Sequence, residues 1–109
     1  IDQLQASIPR NAPPTRLIIA YEPVWAIGTG VVASPDEIAA MHKIIASVLV
    51  ERYGTNTVPP ILYGGSVTPD NAASLFSIPL VDGALVGGAS LDAMRFAAIC
   101  AAAQIVAQL

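Results

Sequence analysis

The sequence predicts an α/β fold built on parallel strands, and three observations carry that expectation. Short apolar runs alternate with helical patterns in the order strand, helix, strand, helix, strand, helix, the signature of βα units joined by right-handed crossovers. Each apolar run ends in a glycine-bearing loop, with Gly28 and Gly30 in the first, Gly64-Gly65 in the second and Gly87-Gly88 in the third, and each loop feeds a helix. The composition, 54% hydrophobic and 12% charged over 109 residues, supplies more apolar surface than a domain of that size can cover by itself. Three strands cannot close a barrel of about eight, and as an open sheet they leave two edges unpaired. The missing strands and cover are expected to come from elsewhere.

Taken in order, Ile1-Asp2-Gln3-Leu4-Gln5-Ala6 reads as the last turns of a helix already under way, and with a first residue other than Met it predicts a piece of a longer chain. Pro9 and then Asn11-Ala12-Pro13-Pro14 make a surface connection, since proline has no amide to continue a helix. Arg16 to Glu22 is a strand with a nearly continuous apolar centre, the pattern of a parallel strand covered on both faces. The next helix is announced by Ser34 as N-cap, Pro35 at its first position and Asp36 and Glu37 in its first turn, a capping box. Ile38, Met41, Ile45, Val48 and Leu49 recur at helical spacing, and Gly54 follows the end at Tyr53. Ile61-Leu62-Tyr63 is the second strand, and Thr68-Pro69-Asp70-Asn71 repeats the cap-then-proline signature for a short helix through about Phe76. Ala84-Leu85-Val86 is the third strand, and Ser90 and Asp92 can cap the closing helix, Ala93 to Leu109.

Charge and cysteine usage exclude several classes of function. The net charge is −3, and the five basic residues Arg10, Arg16, Lys43, Arg52 and Arg95 form no cluster, which argues against nucleic acid and against an anionic membrane surface. Cys100 is the only cysteine, so no internal disulfide can form and intracellular residence is the natural expectation. Set in an Ala-rich apolar helix, Cys100 is expected to be a small core hydrophobe. Phe96 to Leu109 is apolar but shorter than the span of about 20 residues that a bilayer requires, and Gln104 and Gln108 interrupt it. No signal peptide is recognisable, and no pair of His, Cys or acids has metal-ligand spacing.

The chemistry is expected at the carboxyl ends of the strands, where parallel α/β folds place their sites. Glu22 ends the first strand and is followed by Pro23 and a loop holding Trp25 and Ile27 between glycines. A carboxylate desolvated beneath an apolar lid is a better general base. The same acid could instead pair with an arginine or cap a backbone amide, and the large apolar loop residues favour the functional reading because an exposed Trp must close onto something. Gly64-Gly65-Ser66 and Gly87-Gly88 are candidate anion sites, since glycine lets backbone amides approach a ligand ahead of a helix start. A Gly-Gly pair is also an ordinary tight turn, and several such loops sharing one face favour the anion site. His42 and Lys43 lie mid-helix, where His42 is expected to border the packed face and Lys43 to be solvated.

Three motifs can then be set side by side: Ala20-Tyr21-Glu22-Pro23-Val24-Trp25-Ala26-Ile27-Gly28-Thr29-Gly30, Leu62-Tyr63-Gly64-Gly65-Ser66-Val67, and Leu85-Val86-Gly87-Gly88-Ala89-Ser90-Leu91. In that order and spacing the chain resembles the carboxyl-terminal part of the triosephosphate isomerase family. The resemblance implies a (β/α)8 TIM barrel of which residues 1–109 form a single partial domain: the end of helix five, then strands six, seven and eight with their helices. It implies that Glu22 is the base that moves a proton between the two carbons of a small phosphorylated triose. Pro23 to Ala33 corresponds to a mobile lid, so Pro23, Val24, Trp25, Ala26, Ile27, Thr29, Gly30 and Ala33 are lid residues. Gly28, Ser66, Gly87 and Gly88 correspond to backbone amides that hold the substrate phosphate, and Tyr63 and Ser66 to residues that latch the lid. No cofactor or metal is implied; a cytoplasmic homodimer is.

Departures from the family pattern set further expectations. Its catalytic lysine and electrophilic histidine belong to the first and fourth strands, and neither Lys43 nor His42 matches them. The chain alone is expected to be inactive. Val31 stands where the lid's trailing hinge usually carries a basic residue, which bears on lid motion. Two alternatives stand beside the enzyme: a non-catalytic phosphate-binding half-barrel, and a structural assembly element held together by its surplus apolar surface.

Overall fold

The computed structural model describes residues 2–23 and 33–107. The opening helical turns form α1, Asp2–Ser7, and a 3-10 turn at Pro14–Arg16 leads into the first strand. The order from there is β1 Ile19–Tyr21, α2 Pro35–Tyr53, β2 Ile61–Tyr63, α3 Ala72–Phe76, β3 Gly83–Ala84 and α4 Ala93–Ala107. The three strands make one parallel sheet in the order β1-β2-β3. Register pairs Tyr21 with Tyr63 and Tyr63 with Ala84. The strand, helix alternation legible in the sequence is therefore the architecture; β2 matches its run, and β1 and β3 are shorter than theirs. Arg16 spends itself in the 3-10 turn, and pairing on the third run begins at Gly83 and ends at Ala84.

α2 starts as its sequence dictates. The Ser34 hydroxyl accepts from the Glu37 amide at 3.2 Å and donates to the Glu37 carboxylate at 3.0 Å, satisfying an amide that the helix cannot pair internally. Its buried stripe is Ile38, His42, Ile45 and Leu49. Met41, placed in the stripe by sequence, is exposed, and His42 occupies the centre of the packed face rather than its border. The steps of four, three and four residues hold these four side chains on one line along the helix. At the other end Gly54 takes φ +85° and ψ 175°, a conformation close to glycine-only. There α2 fastens the connection before β1: Arg52 donates to the Pro9 and Arg10 carbonyls at 2.7 and 3.2 Å, and the Tyr53 hydroxyl to the Ala12 carbonyl at 2.8 Å.

The two other caps differ from expectation. Thr68 does not cap a helix; the Asn71 carboxamide accepts from the Thr68 amide at 2.8 Å and donates to the Ser66 carbonyl at 2.9 Å, so Thr68 to Asn71 is a turn and α3 begins after it. Asp92 caps α4 by accepting from the Met94 and Arg95 amides at 3.0 and 3.1 Å, whereas the Ser90 hydroxyl turns back to the Gly87 carbonyl.

Burial is one-sided. Ile61, Tyr63, Leu49, Ile38, Leu75 and Ile99 are buried between the sheet and the helices. Alternate residues on the opposite face are open: Ile18 is 67% and Leu85 48% exposed, and Ala20 and Glu22 are exposed as well. β1 is thus covered on one face and not on both as its apolar run suggests, because no strand among the described residues packs against its other face. Cys100 is exposed as well, which corrects its expected place in the core. It lines, with Phe96, Ala103 and Val106, a groove beside β3.

Candidate functional site

Register assembles the site. One residue past the pairs that end the strands, Glu22, Gly64 and Leu85 lie in one row across the sheet. The ladder continues into that row, with the Gly64 amide donating to the Tyr21 carbonyl at 2.8 Å and the Leu85 amide to the Tyr63 carbonyl at 2.9 Å. A Cβ placed on Gly64 would stand 3.5 Å from the Glu22 Cβ and 3.4 Å from Leu85 Cδ1, so Glu22 shares its face of the sheet with the second and third loops. Two rows further on come Ser66 and Gly87, each three residues beyond the Tyr63–Ala84 pair.

The predicted site residues meet different surroundings. Glu22 is exposed and Pro23 buried. Val24, Trp25, Ala26, Ile27, Gly28, Thr29 and Gly30 lie outside the described residues. The lid beneath which Glu22 is expected to be desolvated lies among the residues outside the description. Ala33, which rejoins α2, is 3% exposed, and Tyr63 is fully buried. Ser66 is half-buried, its carbonyl held by Asn71. Gly87 and Gly88 are exposed, and Cβ atoms there would meet nothing within 4 Å. Among the described residues no hydrogen-bond partner is recorded for the amides of Ser66, Gly87 or Gly88. Three backbone donors at one end of the sheet, in glycine-rich turns that keep side chains out, suit an anion.

Two tyrosines sit behind this row. The Tyr63 hydroxyl has no partner of hydrogen-bonding geometry among the described residues. Burial pushes its pKa above the ordinary 10.0, the Ala33 backbone works against that shift, and Tyr21 adds to it. Tyr21 is raised by burial and then by the charge of Glu37. His42 is directed elsewhere, its Nδ1 2.9 Å from the Leu80 carbonyl and its ring edge-on to Tyr21, with centroids 6.0 Å apart. Lys43 is exposed on α2. Among the described residues, then, neither joins Glu22, and no group of three or more His, Cys, Asp and Glu converges as a metal site. Two depressions of about 590 Å³ each lie between α1 and α2 and beside β3, and Glu22 lines neither. Asn71, Asp82 and His42 are the residues whose roles sequence reading missed. For Asn71 the signal was present in its turn-forming neighbours; for the other two the partner is distant in sequence.

A parallel sheet with helices on one face and its loops gathered at the strands' carboxyl ends defines a partial α/β barrel. Residues 1–103 match the family model described as triosephosphate isomerase, and the chain belongs to that family. It is 51% identical over 102 residues to the triosephosphate isomerase of Ruegeria pomeroyi, covering 92% of this chain and 41% of that protein. It is 54% identical over 102 residues to that of Jannaschia sp., with the same coverage. A crystal structure of triosephosphate isomerase from Bartonella henselae superposes with a TM-score of 0.84 at 41% identity, over 94% of this chain and 41% of that one. The chain thus spans about 41% of the length of these relatives, and what it matches is their carboxyl-terminal portion.

Proposed function

We propose that this chain supplies the base and the phosphate-holding loops of a triose-phosphate isomerase, which interconverts dihydroxyacetone phosphate and glyceraldehyde 3-phosphate. The observation that carries the reading is the row at the strands' carboxyl ends: Glu22 beside Gly64, with the amides of Ser66, Gly87 and Gly88, unpartnered among the described residues, beyond it. In this reading the Glu22 carboxylate takes a proton from one carbon of the bound triose and returns it to the neighbouring carbon through an enediolate. Atoms balance without a cofactor. The amides of Ser66, Gly87, Gly88 and Gly28 hold the phosphate, which fixes the reacting carbons near the base. Residues 23–33 act as the lid, excluding water and strengthening the electrostatics around Glu22. A lysine and an electrophilic histidine come from the portion of the protein that this chain does not include, so residues 1–109 are one part of a shared domain. Homodimerisation and a cytoplasmic location belong to the proposal for the whole protein; the structure adds that no helix among the described residues is long and apolar enough to cross a membrane.

The test is turnover of the complete enzyme in a coupled assay, with Glu22→Gln and Glu22→Asp. Removing the base, or retracting it by about 1 Å, should cost on the order of a hundredfold or more in rate; a rate within a few-fold of the parent would sink the assignment. The exposure of Glu22 and the distance in the fold of His42 and Lys43 favour a second reading, a phosphate-binding half-barrel without catalysis. That reading expects triose phosphate to shift the amide resonances of Ser66, Gly87 and Gly88 while turnover stays at background with or without Glu22.

A further inference from the structure

We infer that His42 is a positioning residue: through its Nδ1–H it holds Leu80 in a left-handed backbone conformation, and so sets where β3 begins and where the third loop comes to lie. Among the described residues Leu80 is the one non-glycine residue with positive φ, at +70°. It stands in a tight turn, in which the Val81 amide donates to the Ile78 carbonyl at 3.2 Å and Pro79 takes the second place. Proline followed by a positive φ is the pattern of a type II turn, whose third place belongs to Gly or Asn. A leucine there is strained, because its Cβ crowds the carbonyl oxygen that follows. Burial of the side chain does not hold it there, since Leu80 is 45% exposed.

The imidazole of His42 supplies the hold. It is fully buried, with Nδ1 2.9 Å from the Leu80 carbonyl oxygen and Nε2 without a partner among the described residues. Only one tautomer fits these surroundings. With the proton on Nε2, a bare Nδ1 would face the carbonyl oxygen, acceptor against acceptor, and a buried N–H would stand unpaired. With the proton on Nδ1, the ring donates to Leu80. The ring is itself fixed, edge-on to Tyr21 and on a helix face where Ile38, Ile45 and Leu49 are buried beside it.

Little chain separates this turn from the sheet. Two residues after Leu80, the Asp82 amide donates to the Ile61 carbonyl at 2.9 Å and its carboxylate accepts from the Ile61 amide at 2.8 Å. β3 follows at once with only Gly83 and Ala84 paired, so the lead-in fixes its register as much as the ladder does. A slip of one residue would turn every side chain of the run to the other face. Gly87 lies three residues beyond Ala84. That its loop holds a phosphate rests on the function proposed above; the hold on Leu80 does not.

Measurements on the complete protein test this, and the first two involve no turnover. Nitrogen-15 imidazole spectra at about pH 8, where a free imidazole is neutral, should show His42, assigned by its loss in His42→Phe, as the Nδ1–H tautomer; the Nε2–H tautomer overturns the inference. Leu80→Asn suits the turn and should raise the folded-to-unfolded ratio by about five- to thirtyfold in the parent. In a His42→Phe background, where residue 80 is free to leave the strained conformation, the gain should be clearly smaller; equal gains overturn the inference. In the triose-phosphate assay His42→Phe should raise KM with kcat little changed. His42→Asn, whose amide nitrogen replaces Nδ1 as donor, should restore the parent's KM. A KM unmoved in folded His42→Phe, or unrestored by Asn, overturns the positioning. If Glu22→Gln leaves turnover intact, the proposed function fails while the spectra and the Leu80 comparison still decide on His42.

Discussion

Glu22 follows the last residue of β1, Tyr63 ends the neighbouring β2, and the two meet opposite surroundings. The acid lies on the open face of the sheet and the phenol on the covered one, because successive residues in a strand point to opposite sides and register sets Tyr63 beside Tyr21 rather than beside Glu22. The phenol's burial has a consequence in pH. Tyr63 and Tyr21 both hold their protons more tightly in the fold than at the ordinary value of 10.0. The folded state therefore retains protons that the unfolded chain has released, and stability falls as pH rises through and above 10. Below that pH the contribution is complete. Urea midpoints measured on either side of pH 10 should show the loss, and Tyr63→Phe should show less of it; a midpoint indifferent to pH in this range would remove the argument.

At the scale of elements, three local devices carry measurable weight. Ser34→Ala removes the acceptor of the Glu37 amide and should cost about 1 kcal/mol, read as a lowered Tm. Gly54→Ala forces a side chain into the φ +85° conformation that ends α2, with an expected cost of roughly 1–3 kcal/mol. Asp82 is less obvious. Its Oδ2 accepts from the Ile61 amide at 2.8 Å while its own amide donates to the Ile61 carbonyl at 2.9 Å, so one residue ahead of β3 completes the start of β2. Asp82→Ala leaves a part-buried amide without its partner and should cost about 1–3 kcal/mol. Asp82→Asn keeps an acceptor oxygen and should recover part of that loss in the same thermal melts.

On the scale of the whole molecule, the open face of the sheet is the dominant feature. Ile18 and Leu85 are exposed there, and Leu91 and Met94, 91% and 84% exposed, add apolar surface around the start of α4. Patches of this kind drive association unless covered. The 109-residue chain by itself should self-associate in sedimentation, bind a hydrophobic dye, and show no isomerase turnover. Supplying the amino-terminal portion that its relatives carry should reduce dye binding and yield activity together. A monodisperse, dye-silent chain would mean that its apolar face is closed by its own residues.

What the sequence determined by itself is everything that rests on neighbours a few residues apart. The Ser34-Pro35-Glu37 start, the Gly54 stop, the alternation of strand and helix and the glycine-bearing loop motifs are legible there, since capping, turn chemistry and periodicity act over one helical turn or one hairpin's length. Family motifs extended that reach to the reaction. Tertiary structure alone decided which face of β1 is covered, that Met41 is out and His42 in, that Cys100 is exposed, and that Asn71 braces the Ser66 loop instead of continuing a cap. The reason is common to most of these. His42 meets Leu80 and Asp82 meets Ile61 across 38 and 21 residues of chain, and such partners are chosen by packing and strand register, which no local pattern encodes.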